Sequence, residues 1–528
     1  MKAHHTVFLL LAFLALGLLP QLATAQATTD SATGYTERYR PQYHFTPAQN
    51  WMNDPNGLVY LDGEYHLFYQ YNPFGDTWGH MSWGHAVSRD LARWQELPVA
   101  LAEADSVMIF SGSAVVDWNN TSGFGEDGRP PLVAIYTGHH TDQPLQDQRI
   151  AYSTDQGRTW TKYEDNPVLD RGMQDFRDPK VFWYEPDEKW VMILAVPKEH
   201  KVQLYASEDL KAWTHLSNFG PAGAVEGIWE CPDLFELPVD GDPDSTRWVL
   251  QVDFNPGHIA GGSGGQYFVG RFDGKTFTPD APVAEGNEHA RWIDYGADYY
   301  AAVSWSDVPE TDGERLMVAW MSNWMYAGDI PTAPWRSAQS LPRRVALQTL
   351  NDDIQLVQQP AHGLESLRRT QHHLGDLEVA EGTLSLAEHG IEGKALEIIA
   401  EFEVGEADAF GLKVRTGEEE ETLVGYDVAA GEVFVDRTRS GDVSFHPGFP
   451  ARHAGPLPAE DGRVRLHVFV DWSSVEVFAG QGQTTLTDRI FPSPESDGVA
   501  LFAEGGTARL VSLDVWEMTS AWATPAAP

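Results

Sequence analysis

The chain has 528 residues, a formal net charge of −41 at pH 7 and a single cysteine, Cys231. This acidic balance argues against nucleic acid and anionic membranes as partners, because phosphate groups are bound by clusters of Lys and Arg. One cysteine cannot form an intrachain disulfide, so stability has to come from large hydrophobic cores, which the length allows in two to four domains.

The first 25 residues have the pattern of a secretory signal. Lys2 gives a positive start, residues 7–19 form an apolar run, and residues 23–25 (Ala-Thr-Ala) form a small-residue cleavage site. The run has 13 residues, which is shorter than the ~20 needed to cross a bilayer, and no later segment is long enough. We therefore predict a signal peptide over residues 1–25 and a mature protein that is secreted or periplasmic, with no membrane attachment after cleavage.

A turn motif repeats through the first two thirds of the chain. Each copy follows an apolar or alternating run, as expected where a strand enters a turn, and each carries an Asp that can cap the turn. The copies occupy residues 88–94, 153–160, 207–213 and 270–277, in steps of 65, 54 and 63 residues. This period suits four-stranded blades, so the repeat predicts a β-propeller.

A second series runs out of phase with the turns and begins in the most informative motif, residues 51–57, Trp-Met-Asn-Asp-Pro-Asn-Gly. Its members, in steps of 57, 67, 52 and 64 residues, are Asp54, Ser111, Asp178, Glu230 and Asp294. If the turn closes the outer part of a blade, these residues fall on the innermost strands, which line the central channel. The series therefore predicts five blades over residues 38–345, with Asp54, Asp178 and Glu230 in one axial pocket.

The pattern changes after residue 345. Residues 346–368 are polar and rich in Gln, and we predict a linker there. Period-two alternation then indicates about ten strands without a helical segment; the clearest are residues 395–404, 410–415, 422–427, 464–470, 474–478 and 510–516. This all-β pattern favours a C-terminal β-sandwich over residues 369–520, which we expect to buttress the propeller.

Three carboxylates occupy stiff local settings, because a proline lies one or two residues after each of Asp54, Asp178 and Glu230. Taken singly, each has a structural explanation as a turn, an ion pair or a loop residue. Taken together in one repeat phase, they suggest a hydrolase. Cleavage of a glycosidic bond with retention needs a nucleophile and an acid/base. Asp54 suits the nucleophile, Glu230 the acid, and Asp178, beside Arg177, suits a carboxylate that stays ionised and accepts hydrogen bonds from sugar hydroxyls.

Other chemistries fit these residues less well. The chain has no Gly-x-Ser-x-Gly elbow, no His-rich ligand spacing and no Ca²⁺-loop pattern. We therefore predict neither a metal nor a cofactor. Residues 110–113, Phe-Ser-Gly-Ser, are interpreted as a polar strand edge that binds substrate through Ser111, and Cys231 as an inert buried thiol.

With these motifs in place, the chain resembles glycoside hydrolase family 32, the β-fructofuranosidases, and in particular their microbial levanase and exo-inulinase branch. The resemblance covers roughly residues 38–520. It rests on seven motifs in the order of the family: residues 51–57, 69–73, 78–85, 110–113, 176–179, 230–233 and 471–478. It implies a five-bladed propeller joined to a β-sandwich, in agreement with the repeat.

The resemblance also implies a role for each matching position. Asp54 resembles the family nucleophile, Glu230 its acid/base and Asp178 its transition-state stabiliser. The positions implied to hold the terminal fructosyl unit are Asn53, Gln70, Trp78, Ser111 and Arg177, with Trp335 at the pocket rim. The last motif carries Trp472 where the family often has Arg, which leaves that contact of the sandwich open.

The activity implied is the release of terminal β-D-fructosyl units from levan, inulin and sucrose by double displacement, with an exo mode favoured. A sucrose-restricted invertase and a fructosyltransferase use the same residues and stay open as alternatives. A non-catalytic sugar-binding propeller fits less well because all three carboxylates are present. An arabinan-type hydrolase fits less well because its motifs differ from residues 51–57.

Overall fold

The computed structural model describes residues 34–309 and 315–522, and its regular structure is almost entirely β-strand. The signal peptide predicted over residues 1–25 lies outside the described residues. In the part of the chain that is described, no helix has the length and apolar character to span a membrane. The helical segments there are short 3₁₀ turns: Glu185–Asp187, Pro197–Glu199, Asn287–His289, His362–Leu367 and Ala387–His389.

Five antiparallel blades follow one another along the chain, which confirms the predicted five-bladed propeller. The strands of blades 1 to 3 are β1 (Asn50–Leu61), β2 (Glu64–Asn72), β3 (Ser82–Ser88), β4 (Trp94–Leu101), β5 (Val107–Val116), β6 (Leu132–His140), β7 (Gln146–Ser153), β8 (Thr161–Lys162), β9 (Leu169–Met173), β10 (Arg177–Tyr184), β11 (Lys189–Val196), β12 (Lys201–Ser207) and β13 (Thr214–Phe219). Those of blades 4 and 5 are β14 (Ile228–Val239), β15 (Asp242–Asn255), β16 (Gly264–Phe272), β17 (Phe277–Pro279), β18 (Tyr300–Ser304), β19 (Arg315–Trp320), β20 (Trp335–Arg336), β21 (Arg343–Leu350) and β22 (Asp353–Pro360).

The first strand of each blade lies on the propeller axis. Around the ring, β1 contacts β5, β5 contacts β10, β10 contacts β14, β14 contacts β18, and β18 returns to β1. The short strand β20 pairs in parallel with the start of β1 and so ties the last blade to the first. This closed ring brings residues that are far apart in sequence to one axis.

Each of the five innermost strands breaks its register at an equivalent point. The breaks lie between Met52 and Pro55, Ile109 and Gly112, Arg177 and Lys180, Glu230 and Asp233, and Tyr300 and Val303. A β-bulge of this kind turns a side chain out of the regular alternation. In three of the bulges a non-glycine residue has a left-handed backbone: Asp178 (φ 64°), Cys231 (φ 47°) and Ala301 (φ 55°). The fivefold set of bulges therefore aims one group of side chains at one end of the channel.

The predicted turn motif is confirmed as the connection between the third and fourth strands of a blade. In blade 1, Asp90 Oδ1 accepts the backbone N–H groups of Ala92 and Arg93 at 3.0 and 2.8 Å. Asp209 and Asp273 accept equivalent pairs of N–H groups in blades 3 and 4. The carboxylate replaces the hydrogen bonds that the chain loses on leaving the strand.

Two expectations about blade 5 are wrong. Asp294, the last member of the second series, lies before β18 and binds Arg343 Nη1 at 2.9 Å, away from the carboxylates of the axis. Residues 346–360, predicted as part of a linker, mostly form the hairpin of β21 and β22. The reason is that β21 buries Val345 and Leu347 while Arg344, Ala346 and Gln348 are only half-buried, so the Gln content of the hairpin conceals its strands.

The C-terminal β-sandwich is confirmed as two six-stranded sheets. The first contains β23 (Arg368–Val379), β25 (Leu396–Glu403), β30 (Arg463–Asp471), β31 (Ser474–Ala479), β32 (Thr484–Arg489) and β34 (Ala508–Met518). The second contains β24 (Gly382–Ser385), β26 (Ala409–Thr416), β27 (Glu421–Asp427), β28 (Glu432–Arg439), β29 (Arg452–Pro456) and β33 (Gly498–Glu504). Their facing sides bury one continuous cluster of Val, Leu, Ile and Phe side chains.

A buried network of charged groups joins propeller and sandwich. Arg343, which is fully buried, donates to Asp294 at 2.9 Å and to Glu476 of β31 at 2.7 Å. Glu476 in turn contacts His44 Nε2 at 3.0 Å, and His44 Nδ1 lies 2.7 Å from Asp471. These carboxylates raise the pKa of His44 to about 9 against the opposing effect of burial. Because a buried charge left without its partner is costly, the network fixes the two parts against each other.

Candidate active site

A pocket of about 330 Å³ opens on the axis where the innermost strands begin. Asp54 of β1, Asp178 of β10 and Glu230 of β14 all line it. The structure thus brings together the three carboxyl groups singled out in the sequence. Five of the predicted substrate-binding residues line the same pocket: Asn53, Gln70, Trp78, Ser111 and Arg177.

The carboxyl group of Asp54 is held by two neighbours. Ser111 Oγ donates to Asp54 Oδ2 at 2.6 Å, and Asn53 Nδ2 donates to Oδ1 at 3.1 Å. Asn53 is fixed in its turn, because its Oδ1 accepts the indole N–H of Trp51 at 2.8 Å. Burial raises the pKa of Asp54, although the hydrogen bond from Ser111 opposes the rise. The two hydrogen bonds therefore hold the carboxyl group of Asp54 in one orientation, and both donors favour its ionised form.

Asp178 lies in the bulge of β10, next to the strand that carries Glu230. Its Oδ2 accepts the backbone N–H of Cys231 at 3.0 Å, and its own N–H donates to Thr137 Oγ1 at 3.0 Å. Burial raises the pKa of Asp178 to about 7, the opposite of the behaviour expected from the adjacent Arg177. Arg177 lowers this pKa, but its Nε lies 3.9 Å from Asp178, too far for a hydrogen bond. Burial, together with Glu230 and Asp54, outweighs it.

Arg177 turns instead towards Glu230. Its Nε donates to Glu230 Oε1 at 3.0 Å, and its Nη1 donates to Asp175 Oδ1 at 3.1 Å and to Gln146 Oε1 at 3.2 Å. The other oxygen of Glu230, Oε2, accepts the hydroxyl group of Tyr300. Both oxygens of Glu230 thus have a donor, one charged and one neutral.

Cys231 lies between the carboxyl groups of Asp54 and Asp178. Its Sγ is 3.7 Å from Asp54 Oδ2 and 3.7 Å from Asp178 Oδ2. Burial and the nearby carboxylates raise the pKa of the thiol well above its usual range. A thiol in that state is a poor nucleophile, in agreement with the interpretation of Cys231 as an inert buried residue.

Trp335 does not lie at the rim of this pocket, and that prediction is wrong. Its side chain is fully buried in a cluster with Tyr39, Tyr326, Ile330, Phe449 and Phe491, and the guanidinium of Arg40 lies 3.7 Å from its ring centre. The short pairing of β20 with β1 directs the indole away from the axis. The tryptophan that lines the pocket on this side is Trp324, 5.9 Å from the ring of Trp51.

Several pocket residues were missed from the sequence: Phe110, His139, Gln146, Asp175, Tyr300 and Trp324. His139 stacks on Phe110 with ring centres 4.4 Å apart, and burial lowers its pKa. Tyr300 could have been found, because it occupies in β18 the bulge position that Glu230 occupies in β14. The polar Gln146 and Asp175 have no local signal in the sequence, although both line the pocket and accept hydrogen bonds from Arg177.

Within residues 34–309 and 315–522, no group of three or more His, Cys, Asp or Glu side chains is arranged to hold a metal ion. The pocket is lined by carboxyl groups and their hydrogen-bond donors. A pair of carboxyl groups in a sugar-sized pocket is the arrangement used in glycoside hydrolysis.

The fold and this cluster define a glycosidase built on a five-bladed propeller. Residues 44–360 match the family model described as "Glycosyl hydrolases family 32 N-terminal domain". Residues 363–517 match the family model described as "Glycosyl hydrolases family 32 C terminal". The chain belongs to glycosyl hydrolase family 32, which confirms the resemblance seen in its motifs.

Relatives of known name agree with this assignment. The chain is 51% identical over 516 residues to a levanase of Bacillus subtilis strain 168, covering 96% of this chain and 74% of the levanase. It is 46% identical over 522 residues to an extracellular exo-inulinase of Aspergillus ficuum, covering 93% of this chain and 96% of the relative.

Solved structures agree in fold. The exo-inulinase of Aspergillus awamori superimposes with a TM-score of 0.87 at 44% identity, over 92% of this chain and 100% of that one. A β-fructofuranosidase of Schwanniomyces occidentalis complexed with fructosyl-erythritol gives 0.84 at 33% identity, over 92% and 98%.

Proposed function

We propose that this protein releases terminal β-D-fructosyl units from fructans, both levan and inulin, and from sucrose, with retention of configuration. The observation that carries the proposal is the convergence of Asp54, Asp178 and Glu230 on one pocket. The names of the relatives supply the substrate class, since a levanase and exo-inulinases are among them. The same names favour secretion, which the N-terminal sequence also predicts.

In the proposed reaction Asp54 attacks the anomeric carbon of the terminal fructosyl unit while Glu230 protonates the departing oxygen. A fructosyl ester of Asp54 forms and the glycosidic bond breaks. Glu230 then removes a proton from water, the water oxygen attacks the anomeric carbon, and Asp54 leaves as a carboxylate. The donors Ser111 and Asn53 fix the attacking carboxylate in one orientation, and Arg177 and Tyr300 hold the acid/base, so little reorganisation is needed.

The other site residues have binding roles in this proposal. Asp178 accepts hydrogen bonds from fructose hydroxyls, and Gln70 and Asn53 contact the same sugar unit. Trp78, 46% exposed at the pocket mouth, offers an aromatic face to the sugar. The propeller, proposed over residues 38–345 and extended by the hairpin of β21 and β22, contains all the residues of the proposed reaction. The sandwich, proposed over residues 369–520, buttresses the propeller through the network around Arg343.

The proposal is tested by the products released over time from levan and from inulin. Exo action gives fructose alone from the first time point, whereas oligosaccharides at early times would contradict it. Asp54→Asn and Glu230→Gln should each abolish release while keeping the fold, and Asp461→Asn, at an exposed position of the sandwich, serves as the matched control. Near-normal turnover in either purified site variant would refute the assignment.

Two other activities use the same residues. A sucrose-restricted invertase would cleave sucrose and leave levan and inulin intact. A fructosyltransferase would build longer fructosides at high sucrose concentration in place of releasing fructose. Rates on the three substrates, with analysis of transfer products, separate these activities from fructan hydrolysis.

A further inference from the structure

A further carboxyl group, that of Asp253, lies directly behind the candidate active site. It stands opposite Glu230 in the pairing of β14 with β15, and opposite Gly265 in the pairing of β15 with β16. Its side chain is 0% exposed. Gly265 provides the room, because a Cβ at that position would lie 2.5 Å from Asp253 Oδ1. The strand pairing thus leaves a space over Gly265 that the Asp253 carboxyl group shares with the side chain of Ile293.

Asp253 connects to Glu230 through the bulge of the fifth blade. Its Oδ2 accepts the backbone N–H of Ala302 at 3.0 Å. That N–H belongs to the register break of β18, where Ala301 has a left-handed backbone. Tyr300, at the start of the same break, donates its hydroxyl group to Glu230. Asp253 therefore holds the backbone that aims the hydroxyl group at the acid/base.

The surroundings of Asp253 disfavour a negative charge. Among the described residues no ion pair links it to Lys, Arg or His, and the acidic groups near it are Asp54 and Glu230. Burial and these neighbours raise the pKa of Asp253 well above its usual range. A buried carboxylate without a cation takes up a proton in preference to staying charged.

A neighbouring amide can accept a hydrogen bond from a protonated Asp253. Gln251 contacts Asp253 Oδ2 through its side-chain nitrogen, and Gln251 Oε1 and Asp253 Oδ1 are both buried without a hydrogen-bond partner in the described part of the chain. The two ends of an amide have nearly the same shape. If the Gln251 side-chain amide is rotated by about 180°, its oxygen lies against Asp253 Oδ2. There it accepts a hydrogen bond from the O–H group of a neutral Asp253.

We propose that Asp253 is a neutral carboxylic acid that acts as a positioning residue, holding the bulge of β18 and, through Tyr300, the orientation of Glu230. The proposal rests on the proposed function, in which Glu230 is the acid/base.

The kinetic test compares three variants. Asp253→Asn keeps an acceptor for the Ala302 N–H and carries no charge, so it should retain kcat within roughly threefold and keep the pH profile. Asp253→Ala loses the acceptor, and its kcat should fall roughly 10- to 100-fold with little change in KM. Since Asp253 acts through Tyr300, the losses in Asp253→Ala and Tyr300→Phe should not multiply in the double variant. Fully multiplicative losses, or an Asn variant as impaired as the Ala variant, would overturn the proposal.

The charge state is tested without any substrate. Infrared spectra at pH 8 should contain a band of a buried protonated carboxyl group in the wild type that disappears in Asp253→Asn. Absence of the difference would refute a neutral Asp253 whatever the enzyme hydrolyses. Failure of the wild type to release fructose from any fructan or from sucrose would instead refute the proposed function and leave this spectroscopic result valid.

Discussion

Replacing Asp178 by Asn should stabilise the protein at neutral pH while removing activity. Asp178 is buried, and its pKa is raised from 3.8 to about 7. A folded carboxyl group that binds its proton more tightly than the unfolded one supports the fold at low pH and opposes it once ionised. The free energy of unfolding therefore falls as pH rises from about 4 to about 7, and Asn removes this loss because it does not titrate.

The size of the effect follows from the pKa values. Each pKa unit is worth about 1.4 kcal/mol, so the rise to about 7 corresponds to at most about 4 kcal/mol above neutral pH. Asn can still accept the N–H of Cys231, which Asp178 binds at 3.0 Å, so this bond need not be lost. The stability difference between variant and wild type should be smallest near pH 4 and largest above pH 7.

The assay is chemical denaturation followed by tryptophan fluorescence at pH 4.5, 6 and 7.5, with Asp461→Asn as the control for a change of one exposed carboxyl group. The difference between Asp178→Asn and wild type should grow with pH, while the difference for the control should stay near zero. A difference that is constant or that shrinks as pH rises would refute the assignment of a raised pKa to Asp178.

Three further predictions concern other groups. Ser111→Ala removes a donor at 2.6 Å from Asp54, so kcat/KM should fall roughly 10- to 100-fold and the acid limb of its pH profile should move to higher pH. His44→Gln should flatten the loss of thermal stability between pH 6.5 and 9, because the pKa of His44 is raised to about 9 and a protonated His44 supports the fold only below that pH. Trp335→Phe should lower the melting temperature and leave KM for sucrose unchanged, whereas Trp324→Ala should raise KM.

Each of these predictions has an outcome that contradicts it. An acid limb that stays in place in Ser111→Ala would mean that the serine does not favour the ionised form of Asp54. A steeper alkaline loss in His44→Gln would reverse the sign assigned to His44. An increase of KM in Trp335→Phe as large as that in Trp324→Ala would place Trp335 back at the pocket.

The parts of the fold that the sequence predicts are those encoded locally. The Asp-capped turn uses residues within seven or eight positions of one another, so its copies in the first four blades are visible in the sequence. Asp54, Asp178 and Glu230 are visible for a similar reason, because each precedes a proline in a bulge of an innermost strand. Signals of this kind depend only on neighbouring residues, so they can be read without knowing how the blades pack.

What the sequence does not predict depends on contacts between distant segments. The side of β20 on which Trp335 lies is decided by its pairing with β1 and by the packing of Arg40. Whether Arg177 donates a hydrogen bond to Asp178 or to Glu230 depends on how blades 3 and 4 pack against each other. The high pKa of Asp178 follows in part from that choice, because Arg177 opposes the effect of burial only from 3.9 Å and without a hydrogen bond.

Azide rescue of the two carboxylate variants tests the central claim most directly. With a β-fructofuranoside whose leaving group needs no protonation, Glu230→Ala should form a fructosyl azide of retained β configuration, because azide attacks the ester on Asp54. Asp54→Ala should give the inverted α azide by direct attack. Nuclear magnetic resonance distinguishes the two products. The exchanged stereochemistry, or an azide product from neither variant, would contradict the roles assigned to Asp54 and Glu230.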